Sequence, residues 1–237
     1  MQSWVRSEAA VVAQVVSDRR ALAGAIGFAL GHSFEAGIWL ATAIDRSELG
    51  LPPDRRPGDI DLLALPEDAG ALHIGRAIAI EVKVVRPTFE RPARNANSLG
   101  VTQALGLLAD GFPFVGLLHI SVPGPLPPEH HLTIPHLSGQ FGPDLKPIET
   151  GQTSTFDPFP LYSAERQLGR LDSLGLPAAV AYGSIAYSLS SDGTRIVGNT
   201  IGYEREGQRN PAASRVLQED IVKLADTRPG LFTKVRW

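Results

Sequence analysis

Two neighbouring stretches decide the fold: Asp59–Leu65, DIDLLAL, and Leu72–Val85, LHIGRAIAIEVKVV. Both are rich in β-branched and aliphatic residues and read as strands. Pro66–Gly70, PEDAG, reads as the turn between them. Residues two apart on a strand project from one face. Glu81 and Lys83 therefore point together, away from Ile80, Val82 and Val84, and Asp59 and Asp61 share a face on the first strand. A turn centred on Ala69 would set Asp61 against Ala77, so bringing Asp61 beside Glu81 needs a stagger of about four residues, with Gly75 as the expected bulge.

Working outward, residues 4 to 16 read as a first helix, with Ser7 and Glu8 near its start, and Ala21–Asp45 as a second, largely buried helix. Leu51–Gly58, LPPDRRPG, breaks the chain before the hairpin. After a polar loop, Pro87–Asn97, a helix is expected over Leu99–Asp110 and a doubly covered strand over Phe112–Val122. Nine prolines fall between Pro123 and Pro160, which predicts a long irregular excursion. Beyond it come a helix (Ser163–Leu174), strands (Ala178–Leu189 and Arg195–Tyr203) and a closing helix (Pro211–Ala225). The expected division is a core over 1–122, the excursion over 123–160, and α/β elements over 161–237 packed on the same domain. The fold class is α/β, a mixed sheet carrying helices.

A charged pair inside an apolar strand is costly unless it is paired or metal-bound. Two carboxylates on adjacent strands suit a hard cation such as Mg²⁺ or Mn²⁺, and a neighbouring ammonium suits the charge that develops when water attacks a phosphate. Composition sharpens this. Lys83 is the sole lysine in the first 145 residues, where ten arginines carry the other positive charge. A compact, titratable ammonium does what a guanidinium does not.

Gly58-Asp59-Ile60-Asp61, followed after 19 intervening residues by Glu81-Val82-Lys83, resembles the PD-(D/E)XK nuclease superfamily. The resemblance covers about residues 21 to 122. It implies a restriction-endonuclease-like αβββαβ core with a C-terminal α/β extension, and a Mg²⁺- or Mn²⁺-dependent endonuclease acting on DNA. It places Asp61 and Glu81 as metal-binding acids, Lys83 as the catalytic lysine, Glu35 as a further acid from the helix before the hairpin, and Gln103 as a glutamine on the following helix. Asp59 falls at the rim. The family's Pro-Asp pair is altered here, since Pro57 lies four residues before Asp61. A restriction, antiviral-defence or repair role, alone, as a homo-oligomer or with a partner protein, follows from the same resemblance.

Other features set bounds. Net charge is −3 and cysteine is absent, which excludes thiolate chemistry and a uniformly basic nucleic-acid-binding surface and points to a cytoplasmic protein. Arg55, Arg56, Arg86, Arg91 and Arg94 flank the motif strands and are candidate phosphate contacts, or else solvated loop charges. His119, in an apolar strand, is read as a core histidine; His130, His131 and His136 lack metal-ligand spacing. Ala21–Ile44 is long enough to span a membrane, but four glycines and the central Glu35 favour a buried helix, so no membrane partner is expected. The alternative to an enzyme is a catalytically weak restriction-like fold that serves as a nucleic-acid-binding or protein-assembly module, with the acids and lysine forming an ordinary solvated face.

Overall fold

A computed structural model describes residues 7–30, 37–52, 58–94, 100–141, 144–193, 195–201 and 205–236. Two helices, α1 (Glu8–Ser17) and α2 (Arg19–Leu30), open the chain. The Ser7 hydroxyl accepts from the Ala10 N–H and caps α1, and the Asp18 carboxylate accepts from the first N–H groups of α2. Strand β1 (Gly37–Ile44) follows, where the sequence had suggested that one helix runs from Ala21 to Asp45. The correction has a simple cause. The stretch GIWLATAI is apolar on both faces and lies inside the sheet, and a short continuous apolar run has no periodicity to tell a buried strand from a buried helix. Among the described residues no helix is long and apolar enough to cross a membrane.

Then come β2 (Ile60–Asp68), β3 (Ala71–Leu72), β4 (Ile78–Val85), α3 (Val101–Asp110) and β5 (Phe114–Ser121). The expected strand over 72–85 is broken: a turn of 3-10 helix, Ile74–Arg76, separates β3 from β4 and holds Gly75 at its centre. Pro123–Pro160 is not irregular. Its larger part is a ribbon of β6 (Leu132–Phe141) and β7 (Pro147–Phe156), which among the described residues pair only with each other. Prolines at 135 and 147 are tolerated there because both outer edges of a two-stranded ribbon are free of ladder bonds. Helix α4 (Phe159–Asp172), β8 (Val180–Leu189), β9 (Ile196–Ile201), α5 (Arg215–Thr227) and β10 (Thr233–Arg236) complete the described elements. The short β10 was not anticipated; it pairs with β1 at one edge of the sheet.

The main sheet runs β10-β1-β2-β4-β5-β8-β9, with β3 paired to β2. It is mixed: β2 runs antiparallel to both of its neighbours, β1 and β4, whereas β4, β5 and β8 run parallel. The parallel steps need crossovers, and α3 and α4 supply them. One face packs against α1 and α2 through Ile78, Ile80, Val82, Leu118, Ile120 and their neighbours. The other packs against α3, α4 and α5 through Leu63, Leu65, Ala79, Val115 and Leu117.

Two glycines make room for the largest side chain of α2. A Cβ on Gly183 of β8 would lie 3.0 Å from the Phe28 ring, and one on Gly116 of β5 would lie 3.4 Å from it. Phe28, 2% exposed, packs against both. Because truncating this buried ring would leave a cavity against the sheet, Phe28→Ala is expected to cost about 3–5 kcal/mol. A lowered urea midpoint with unchanged slope is the signature to look for.

Candidate active site

The site forms where β2 runs out beside β4. Across the tight turn at Ala69 and Gly70, both at positive φ as a type I′ hairpin requires, Asp68 pairs with Ala71. Continued unchanged, that register would oppose Asp61 to Ile78. The three residues of the Ile74–Arg76 turn shift the ladder, so that Leu62 pairs with Ile80 instead. One step further along, Asp61 faces Glu81. The stagger, expected at about four residues and three when measured from the observed turn, is thus made by the 3-10 turn around Gly75.

Past that step no strand among the described residues pairs with β4 on its β2 side, and its N–H groups there need other acceptors. Side chains supply them. The Val82 N–H donates to Asp61 Oδ2 at 2.7 Å, and the Val84 N–H donates to Glu8 Oε1 at 3.1 Å. Two carboxylates therefore line the open edge of β4, held by its own backbone. Glu8 sits in the first turn of α1 and reaches the strand from the far side of the sheet. Sequence reading placed Glu8 only as a helix-start residue. Nothing in its spacing ties it to Val84, 76 positions away.

Glu81, 4% exposed, and Asp61, half-buried, compete for protons. Burial raises the Asp61 carboxyl above the usual carboxylate range, against the opposing Val82 hydrogen bond. Burial, followed by the charge of Asp61, pushes Glu81 to about 7. Lys83 Nζ lies 2.6 Å from Glu81 Oε1. Burial works against the Lys83 charge, but the Glu81 hydrogen bond and the charges of Glu81, Glu8 and Asp61 outweigh it, so the ammonium is held above the ordinary lysine range. The result is a charged ammonium beside two acids whose carboxyls are both pushed up, Glu81 to about 7, because burial and the neighbouring negative charge disfavour ionising both.

Helix α3 brings a second positive feature. Its N-terminal residue Gly100 adopts φ +70, and a Cβ there would meet Leu117 Cδ1 at 2.7 Å, Lys83 Cγ at 3.1 Å and Glu81 Cγ at 3.2 Å. The start of α3 is thus laid directly on the stems of Glu81 and Lys83, and only glycine permits both the backbone angle and the approach. Among the described residues no side chain caps this end, so first-turn N–H groups and the helix dipole face the region of the site.

The other expected residues fall differently. Gln103 is half-buried in the first turn of α3 and makes no hydrogen bond to Asp61, Glu81 or Lys83 among the described residues. Asp59 is exposed, at the rim. Glu35, Arg55 and Arg56 lie outside the described residues. Arg86 is half-buried and donates to the Ser7 carbonyl at 3.4 Å, whereas Arg91 and Arg94 are exposed on the loop after β4. His119 is fully buried with its Nδ1 3.2 Å from Gln167 Oε1. His130 stacks on Phe89, His131 bonds the Leu126 carbonyl, and His136 contacts Ser154 Oγ; these three form no metal cluster.

The donor set at Asp61 and Glu81 fits a hard divalent cation, because two facing carboxylates, one buried and one half-buried, are relieved of their repulsion by one. Among the described residues no three His, Asp or Glu side chains converge as a ready ligand set. A cation here would draw on two carboxylates and fill its remaining positions with water or substrate oxygens, as Mg²⁺ commonly does.

No protein-family model, no curated protein and no solved structure matches this chain.

The raised Glu81 carboxyl has a consequence for stability. Its ordinary value is 4.5 and its folded value about 7, so across that interval the folded chain binds more protons than the unfolded one. Stability gained from this group is complete below about 4.5 and is lost as pH rises through about 7. In EDTA, thermal unfolding should move to lower temperature between about pH 5 and about pH 8, by an amount on the order of 1–3 kcal/mol. Mg²⁺ or Mn²⁺ at the upper pH should restore the loss by binding the native carboxylates. A profile that is flat over this window, with and without cation, would contradict the arrangement.

Proposed function

We propose that this chain is a metal-dependent nuclease of the PD-(D/E)XK kind that hydrolyses phosphodiester bonds in DNA. The observation that carries the reading is the convergence of three groups. Asp61 and Glu81 face each other from adjacent strands, and the Lys83 ammonium lies 2.6 Å from Glu81. The order of elements agrees with it. Helix α2, the antiparallel run β1-β2-β4, helix α3 and the parallel strand β5 follow the αβββαβ pattern that the resemblance implies.

Asp61 and Glu81 would hold a divalent cation, which would supply positive charge to a phosphate oxygen and make a water more acidic. The chain's own groups do the rest. Val82 N–H fixes Asp61, and Val84 N–H fixes Glu8. Glu8 is an acid from a preceding helix that approaches the site among the described residues, and would add a third carboxylate there; Glu35, expected in that place, lies outside the described residues. Lys83 keeps its proton and sets a positive charge where negative charge builds up on the phosphate. Its orientation comes from Glu81, and the start of α3 adds a favourable potential for the same anion.

Incubation of the purified chain with plasmid and with labelled single-stranded DNA tests the reading. Cutting should require Mg²⁺ or Mn²⁺ and stop in EDTA. Lys83→Ala should lower the rate by about 10²-fold or more, and Lys83→Arg should not restore it, because guanidinium is not a compact point charge. Glu8→Gln should cost on the order of 10- to 100-fold. Wild type and Lys83→Ala equally inert on duplex, single-stranded and branched DNA would sink the nuclease reading in favour of a binding module.

A further inference from the structure

The loop that leaves β4, Arg86 to Arg94, carries three arginines within a short distance of Lys83 in the chain. It folds back on itself: Thr88 and Arg91 form an antiparallel bridge, and the Arg94 N–H donates to the Arg91 carbonyl at 3.3 Å. Its far end is not held by the sheet. It is held by α4. Arg166 Nη2 donates to the Ala93 carbonyl at 3.5 Å, and Gln167 Nε2 donates to the Arg94 carbonyl at 3.3 Å.

Gln167 is an unusual residue to do this. It is fully buried, on the face of α4 that packs against the sheet. A buried carboxamide is expensive unless both its ends are bonded. Here one end holds the loop and the other meets His119, itself fully buried, at 3.2 Å. Because Gln167 Nε2 is the donor to Arg94, its Oε1 is the acceptor, and His119 Nδ1 carries the hydrogen. His119 in turn is the ladder neighbour of Lys83, on the same face of the sheet. A continuous polar connection therefore runs from the strand beside the catalytic lysine, through an apolar core, to the backbone of Arg94.

An apolar pair such as leucine and methionine would fill the same volume without the desolvation cost. What the polar pair adds is a defined position for the loop. Arg86 lies near both Glu8 and Arg94, and their charges act on it in opposite directions. Arg86 is thereby held beside Glu8, whereas Arg91 and Arg94 stand exposed on the same pinned loop, where a strand bound at the site can meet them.

We propose that Gln167, oriented by His119, is a positioning residue that pins the 86–94 loop so that Arg94, together with Arg86 and Arg91, contacts the substrate's phosphates flanking the scissile one. This rests on the phosphodiesterase reading above and deepens it. The substrate is a polyanionic strand engaged over several phosphates, not a small cyclic or terminal phosphodiester. The overall charge of −3 makes such a localised arrangement necessary, because the chain lacks a general excess of positive charge to hold a polyanion.

Binding measured by fluorescence anisotropy, on the full chain with Ca²⁺ replacing Mg²⁺ and a labelled DNA strand and duplex as probes, separates the outcomes. The quantity read is the slope of log Kd against log salt, which reports phosphate contacts at about one unit each and which simple loss of stability leaves unchanged. Arg94→Ala, an exposed change, should lower the slope by about one. Gln167→Met, which keeps the volume and removes the bond to Arg94, should lower it by about one or more. The double variant should fall little below Gln167→Met alone, because the second residue acts through the first. In cleavage assays the loss should sit in KM more than in kcat.

If Gln167→Met fails to fold, Arg94→Ala still decides. A wild-type slope in Arg94→Ala, or additive losses in the double variant, overturns the proposal. A wild-type chain that binds neither probe overturns the phosphodiesterase reading itself, whereas wild-type binding with unaltered variants overturns only the role of the loop.

Discussion

The mutual repulsion of two carboxylates on adjacent strands organises this structure. Asp61 and Glu81 face each other at the point where the ladder between β2 and β4 stops. Two buried acids in that relation must share a proton, take a counter-charge or separate. The chain keeps them together with groups that tolerate the charge: a backbone N–H for Asp61, an ammonium for Glu81 and a neighbouring N–H for Glu8. The unpaired edge of β4, which would elsewhere be a liability, becomes the scaffold that aims the acids.

This arrangement depends on a detail of the hairpin remote from the acids. The type I′ turn sets one register and the 3-10 turn at Ile74–Arg76 replaces it with another. A side chain alternates faces with every residue, so the size of the shift decides both which residue meets Asp61 and on which side. Gly100 completes the site from above. It lets α3 begin in contact with Glu81 and Lys83, and so determines how closely the helix dipole approaches the charged groups.

The C-terminal elements contribute to the sheet more than the sequence suggests. Strands β8 and β9 extend it beyond β5, and β10 returns to pair with β1 at the opposite edge. Helix α4 covers the polar end of the parallel strands, where Lys83, His119 and Ser184 lie in adjacent register positions. His119 reads from sequence as a core histidine, and it is one; its partner Gln167, 48 residues further on, could not be named from spacing.

What the sequence determined by itself was local in origin. Alternation placed Glu81 and Lys83 on one face, the turn signal at Pro66–Gly70 located the hairpin, and the scarcity of lysine singled out Lys83. The helix over 101–110 and the buried strand over 114–121 were legible for the same reason, since periodicity and β-branching act over a few residues. Tertiary structure decided the rest. It made Gly37–Ile44 a strand, because an apolar run takes the form its neighbours can cover, and it made a ribbon of a proline-rich stretch by pairing it with itself. It brought Glu8 to Val84 and Gln167 to Arg94 across long separations in the chain. Such pairings arise from the packing of whole elements, and no local preference of either partner encodes them.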